Sequence, residues 1–146
     1  MARGKPVDPP MPDLELTLPA RAENVAVVRH AFGGLGDVLD VGDQMLADIK
    51  LAVTEACTNV VVHAYPDREG PLGVAAILED RTLTVVVVDE GRGITPRPDS
   101  PGLGLGLPLI ATLAESLELG TSADNQTEVR MTFNLDAAGD DHAMAS

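Results

Sequence analysis

A carboxylate and a carboxamide stand four positions apart, at Glu55 and Asn59, inside a long stretch of helical periodicity. At about 100° per residue both side chains project from the same helix face. Apolar residues occupy the opposite side: Leu46, Ile49, Val53, Cys57, Val60 and Ala64. The helix therefore has an apolar back and a narrow polar front. A pair of this kind is usually a solvated face, so its meaning depends on the segments that follow.

A second chemical group comes at the end of a short apolar run. Four consecutive valines end at Val88 and are followed by Asp89, with glycines at Gly91 and Gly93. Such a run of strand formers predicts a buried strand, and the glycines allow a tight turn or close approach by a ligand. A carboxylate at this point is well placed to accept a hydrogen bond from an exocyclic amine such as that of adenine. The alternative is an ordinary turn at the end of a strand.

A third segment is rich in glycine. Gly102, Gly104 and Gly106 lead to Pro108, and helical periodicity follows over residues 109–117. We expect a glycine loop that opens a helix, with Pro108 in the first turn, because free amides and the helix dipole there attract anions. The spacing fits neither the P-loop nor the dinucleotide fingerprint. A flexible linker is the alternative.

The three segments together resemble the ATP-binding fold of the GHKL superfamily, which contains gyrase, Hsp90, sensor histidine kinases and MutL. The stretches 55–59, 63–66 and 89–94 are most similar to those of the bacterial anti-sigma factor serine/threonine kinases. The resemblance extends over roughly residues 13–135. It implies an α+β, Bergerat-type ATP-binding sandwich with a mixed, mainly antiparallel sheet and helices on one face.

The resemblance also implies a role for each candidate residue. Asn59 would ligate Mg²⁺ through its amide oxygen, and Glu55 would accept or orient the proton of the attacking hydroxyl, with ATP as donor. Asp89 would bind the adenine amino group, and Thr127 would hydrogen-bond near it. The glycines that would make room for the base or cradle the triphosphate are Gly91, Gly93, Gly102, Gly104 and Gly106.

Two further residues, one of them at a position where the family often has a histidine, receive no assigned role. His63 follows Asn59 by one turn, and we interpret it as a structural hydrogen-bonding residue rather than a catalytic one. Arg97 is the one cation between Gly93 and Gly102. We interpret it as a solvated side chain, with a contact to the γ-phosphate as the alternative.

Composition limits the partners and the compartment. The chain has 146 residues and a net charge of −13, so nucleic acid is an unfavourable partner. A single cysteine, Cys57, suits a reducing compartment and is expected to be a buried hydrophobe. The first residues lack the apolar stretch that a signal peptide has, and no run of apolar residues is long enough to span a membrane. We therefore expect a cytoplasmic protein that does not enter the membrane.

Periodicity and turn residues divide the chain into one domain with two tails. We expect disorder in residues 1–12 and in an acidic tail over 136–146, on either side of the ATPase domain at 13–135. Glycines at 33, 34 and 36 are expected to end a first helix before the long helix over 41–64. The predicted order is strand, two helices, two strands, helix and two strands. The predicted strands cover 14–18, 72–78, 83–88, 118–120 and 128–135.

Three functions are compatible with these residues. The resemblance favours an anti-sigma factor that binds a sigma factor and phosphorylates a Ser or Thr of an anti-anti-sigma (STAS-type) protein, working as a homodimer. The second is a nucleotide-binding regulator that sequesters its partner without phosphoryl transfer. The third, a detached histidine-kinase catalytic domain, is disfavoured because no helical hairpin with a phospho-accepting His precedes the fold. Retention of both Glu55 and Asn59 favours the first.

Overall fold

A computed structural model describes residues 11–91, 103–121, 124 and 126–136, with the side chains of 103–105 excepted. This part of the chain forms five strands and three helices in the predicted order. The strands are β1 (Leu14–Pro19), β2 (Pro71–Glu79), β3 (Thr82–Asp89), β4 (Ser116–Thr121) and β5 (Thr127–Asn134). The helices are α1 (Ala22–Val38), α2 (Asp43–Asn59) and α3 (Leu103–Leu113), and α2 continues into a π-helical turn over Val60–Ala64.

The strands form one sheet in the order β1-β2-β3-β5-β4, and every neighbouring pair is antiparallel. Alternate residues of β2, β3 and β5 are buried, as expected when one face of a sheet covers a core. The register places Val85 opposite both Ala76 and Met131 in the centre of that face. The helices cover this face, so the predicted sandwich with helices on one side is confirmed.

The apolar back of α2 is buried in the core as predicted, at Ile49, Val53 and Cys57, and the π-helical turn adds Val60 and Ala64. This burial explains why the polar front of α2 points away from the sheet. Because the side chains of one helix face share a direction, Glu55 and Asn59 keep the common face that their spacing predicts.

The first two helices are separate as predicted, but the position predicted for the break between them is wrong. Gly33, Gly34 and Gly36 all lie inside α1, which runs to Val38. A Cβ on Gly36 would come within 2.5 Å of a methyl carbon of Leu46, so this glycine lets α1 and α2 pack closely. At Gly36, tertiary packing therefore outweighs the low helix propensity of glycine.

The prediction for the glycine-rich segment also needs correction. Helix α3 begins at Leu103, so Gly104 and Gly106 are helical and Pro108 lies in the helix interior rather than in its first turn. The helix ends at Leu113 because Ser116 already belongs to β4, where its hydroxyl shares a 2.6 Å hydrogen bond with that of Thr132. Packing of the apolar residues of α3 on the core, with Ile110 fully buried, stabilises this arrangement.

Two predicted tails fall mostly outside the described residues. Residues 1–10 and 137–146 are not described, and Asp136 pairs with Arg81 at 3.3 Å. Within the described ranges, no helix has the length and apolar character needed to cross a membrane.

Candidate functional site

Three polar side chains are buried among the residues that the structure describes: Asn59, Asp89 and Thr127. All three are site residues predicted from the sequence. Burying a polar group is costly unless a partner compensates for its lost hydration. These three side chains are therefore not part of a solvated surface. They mark the region of the fold where polar groups are kept although their burial lowers stability.

Asp89 and Thr127 lie side by side at one end of the sheet. They are the last residue of β3 and the first residue of β5, and the strand register pairs them directly. Both belong to the face that the helices cover, since Val87 and Val129 of the same alternation are buried there. The sheet thus places a carboxylate and a hydroxyl next to each other below the helix layer.

The Asp89 carboxylate is partly satisfied by its own turn. One of its oxygens accepts a 2.9 Å hydrogen bond from the backbone N–H of Gly91. Burial raises the pKa of the Asp89 carboxyl, and this hydrogen bond lowers it. No described residue donates to the second oxygen, so this oxygen can accept a hydrogen bond from a ligand amine.

Gly91 joins this end of the sheet to the end of the long helix. A Cβ at this position would overlap the backbone carbonyl of Ala64, the last residue of the π-helical turn. Only glycine permits this close approach of two backbones. The contact fixes the Asp89 turn against the π-helical turn that directly follows Asn59.

Asn59 lies under α3. A Cβ on Gly106 would come 2.8 Å from the Asn59 side-chain nitrogen and 3.1 Å from its oxygen, so the glycine packs directly on the carboxamide. The buried Asn59 Nδ2 has no hydrogen-bond partner among the described residues. Asn59 and Gly106, both predicted site residues, are thus in contact. They meet where α2 packs on α3, whereas the prediction placed Gly106 in a loop.

Glu55 lies one turn before Asn59 on α2 and is half-buried. Of the other candidates, Gly104 is part of α3, while Gly93, Gly102 and Arg97 lie outside the described residues. His63 is half-buried within the π-helical turn.

Cys57 plays no part in this site. Its thiol is buried on the apolar back of α2, and burial raises its pKa to about 12. The thiolate is therefore absent at neutral pH, and the expectation of a buried hydrophobe is confirmed.

The donor set around Asn59 fits magnesium better than a transition metal. The described residues contain no cluster of three or more His, Cys, Asp or Glu side chains that could hold a metal ion. Magnesium needs few protein ligands, because it keeps several waters and binds substrate phosphates. The oxygen of the Asn59 carboxamide is of the ligand type that magnesium accepts and would hold the ion, whereas the atom without a partner among the described residues is its Nδ2, a donor.

Tyr65 lies in the family-like stretch 63–66 but had no role assigned from sequence, and in the structure it supports the Asp89 turn. Its hydroxyl donates to the carbonyl of Pro71 at 2.5 Å and accepts from the N–H of Glu90 at 2.7 Å. Tyr65 is the one tyrosine in a chain with two phenylalanines and no tryptophan. That scarcity, next to a predicted site helix, is the signal that could have identified it.

Two surface grooves lie near these elements. One, of about 260 Å³, lies along β1, β2 and β3 and reaches the site at Asp89, and its other carboxylates are Glu15 and Glu90. The other, of about 320 Å³, lies between α1 and α2 near Arg29 and Lys50. The first would repel a phosphate group because all three of its charged residues are acidic.

Comparison with known proteins shows which family the chain is similar to. The sequence model of the histidine kinase-like ATPase domain matches residues 18–133. The anti-sigma F factor of Clostridium acetobutylicum is 30% identical over 129 residues, which cover 81% of this chain and 90% of that protein. The serine-protein kinase RsbW of Halalkalibacterium halodurans is 37% identical over 121 residues, covering 73% of this chain and 74% of that protein.

A solved structure shows the same similarity. It contains the RsbU and RsbW domains of a Mycobacterium tuberculosis protein and matches with a TM-score of 0.68 at 26% identity, over 86% of this chain and 33% of that one. The family resemblance expected from the three sequence segments is confirmed: this chain belongs to the histidine kinase-like ATPase domain family.

Proposed function

We propose that this chain is an anti-sigma factor that binds a sigma factor and uses ATP with magnesium to phosphorylate a Ser or Thr of an anti-anti-sigma protein. The supporting observation is that the buried polar residues of the described chain are Asn59, Asp89 and Thr127. Each is a predicted nucleotide-site residue. Relatives named anti-sigma F factor and serine-protein kinase support the same activity.

The adenine end of the nucleotide binds at the sheet. The free oxygen of Asp89 accepts a hydrogen bond from the adenine amine, while its other oxygen holds the Gly91 N–H at 2.9 Å. Thr127, paired with Asp89 in the register, adds a hydroxyl beside the base. Guanine presents a carbonyl oxygen where adenine has its amine, so a carboxylate repels it. This end of the site selects the base.

The phosphate end binds between α2 and α3. Asn59 holds magnesium through its amide oxygen, and the bound ion supplies charge neutralisation of the phosphates. Gly102, Gly104 and Gly106 make room for the triphosphate. Glu55, one turn before Asn59, orients the attacking hydroxyl and accepts its proton. This division keeps the proton acceptor and the metal ligand on one helix face.

A regulator that sequesters its partner without phosphoryl transfer is the second candidate. Such a protein has no need of a proton acceptor near the metal ligand, and the half-buried Glu55 on the Asn59 face of α2 favours the kinase. The net charge of −13 suits a basic partner such as a DNA-binding sigma factor. We also propose a homodimer, which sedimentation of the purified chain would test.

The kinase proposal is tested by Glu55→Gln, which keeps the side-chain shape and removes the proton acceptor. General-base assistance contributes about 10²–10⁴-fold in rate, so transfer of labelled phosphate to the antagonist should fall by that factor. Binding of ATP and of the sigma factor should persist, because neither depends on this proton.

Two outcomes of that experiment have different meanings. A parent chain that binds ATP but transfers phosphate to no antagonist from its own genome would support the sequestering regulator. Unchanged transfer by Glu55→Gln would show that Glu55 is not the base, whatever the activity of the parent.

A further inference from the structure

Tyr65 connects two strands at the edge of the candidate site. It follows the π-helical turn directly, and its single hydroxyl serves two backbone groups that are far apart in sequence. The hydroxyl donates to the Pro71 carbonyl at 2.5 Å, where β2 begins, and accepts from the Glu90 N–H at 2.7 Å, just after β3 ends. The start of β2 and the end of β3 are therefore held by one side chain from the helix.

The ring of Tyr65 is enclosed on two sides. A Cβ on Gly70 would overlap the ring, so the chain before β2 lies directly against it. The Arg68 guanidinium lies 5.2 Å from the ring centroid, within cation–π range. The same guanidinium donates to the Glu90 carbonyl at 3.1 Å. Tyr65 and Arg68 thus bind the N–H and the carbonyl of Glu90, respectively.

Glu90 lies between the two residues on which the base end of the site depends. Asp89 precedes it, and Gly91, whose N–H binds the Asp89 carboxylate, follows it. Fixing both polar backbone groups of Glu90 fixes the direction of the chain from Asp89 to Gly91. Burial raises the pKa of the Tyr65 phenol, so the hydroxyl keeps its proton and can donate to Pro71 at neutral pH.

We propose that Tyr65 is a positioning residue for base selection, which holds the Asp89–Gly91 turn through its hydroxyl. The inference rests on the proposed function, since it gives Asp89 the task of binding the adenine amine. The ring alone provides packing against Gly70. The hydroxyl provides alignment, because it is the atom that binds the Glu90 backbone.

The test uses Tyr65→Phe in the full chain, which keeps the ring and removes the hydroxyl. Competition binding measures the ratio of ATP to GTP affinity, and the melting temperature measures stability. We expect this ratio to fall about tenfold, as lost hydrogen bonds of ordinary strength predict. The Glu90 amide should also exchange its hydrogen faster.

A matched control separates alignment from stability. Val28→Ala removes buried carbon atoms from α1, away from the nucleotide site, and should lower the melting temperature while leaving the ATP/GTP ratio unchanged. The inference is overturned if Tyr65→Phe keeps the parent ratio, or if Val28→Ala lowers it equally.

A parent that does not prefer ATP would overturn the proposed function instead. Exchange of the Glu90 amide would then still test the hydroxyl contact. Equal exchange in the parent and in Tyr65→Phe would show that the hydroxyl does not hold this turn.

Discussion

The two halves of the candidate site are held in place by different kinds of contact. Asp89, Gly91 and Thr127 are fixed by strand pairing, a local hydrogen bond and a backbone contact with Ala64. Asn59 and Gly106 meet across two helices, and the Asn59 side chain next to that glycine has a nitrogen with no hydrogen-bond partner among the described residues. The sheet half is therefore rigid before a ligand arrives, whereas the helix half can adjust to one.

This difference has a cost for the helix half. A buried donor without a partner destabilises a protein by about 1–3 kcal/mol. Asn59 is retained in that state, under Gly106, although an apolar residue would remove the penalty. Loss of stability at a functional position is common where activity needs a particular polar group rather than the best packing.

Replacing one glycine by alanine in each half should give the largest difference in ATP affinity between the two halves. Gly91→Ala forces a Cβ into the Ala64 carbonyl, a backbone atom that cannot rotate away, so ATP affinity should fall about 100-fold or more. Gly106→Ala places its Cβ against the Asn59 carboxamide, a side chain that can shift, and the loss should be about tenfold smaller. Calorimetric titration with ATP measures both variants.

Gly34→Ala is the control for these glycine substitutions. Gly34 is an exposed residue of α1 with no atom within 4 Å of an added Cβ. The variant should be more stable by about 0.5–1 kcal/mol and bind ATP as the parent does. Equal losses of ATP affinity in Gly91→Ala and Gly106→Ala would contradict the conclusion that the sheet half is rigid and the helix half adjustable.

Asp89→Asn sharpens the comparison on the sheet side. It keeps an oxygen that can accept from Gly91 but removes the charge that binds the adenine amine and repels the guanine carbonyl. Because a hydrogen bond to a charged group contributes about 1.5–3 kcal/mol, the preference for ATP over GTP should fall about 10–100-fold. Competition binding that shows no preference in the parent would remove this role from Asp89.

The pH dependence of stability is a second test of the buried environment of Asp89. Burial raises the pKa of this carboxyl in the folded chain above its unfolded value, so the folded state binds the proton more readily. The ionised group therefore costs stability above its folded pKa, and this cost disappears as the pH falls toward the unfolded pKa.

Denaturation of the parent and of Asp89→Asn at several pH values measures that cost. We expect the Asn variant to be the more stable at neutral pH and its advantage to shrink in acid. A constant difference across the pH range would contradict the raised pKa.

Much of the fold could be predicted from local sequence pattern. The valine run before Asp89 predicted β3 because it is rich in strand formers, and the alternation of residues 14–18 predicted β1 because burial of one sheet face imposes a period of two. The apolar back of α2 was also predicted, since its spacing is that of a helix against a core.

The errors concern glycines whose role depends on distant residues. Gly36 and Gly106 suggested a helix end and a loop, yet both are helical because Leu46 and Asn59 pack against them. A local rule based on glycine flexibility cannot contain such a contact. Tyr65 was missed for the same reason, because its partners Pro71 and Glu90 come together only in the folded chain.

The most direct test of the account is whether the two halves bind opposite ends of one ATP molecule. Calorimetry would compare Asn59→Ala with the parent using adenosine, which has no phosphates, and ATP with and without magnesium. The account predicts unchanged adenosine affinity, and an ATP affinity about tenfold weaker only when magnesium is present. Weaker adenosine binding, or magnesium-supported ATP binding equal to that of the parent, would contradict it.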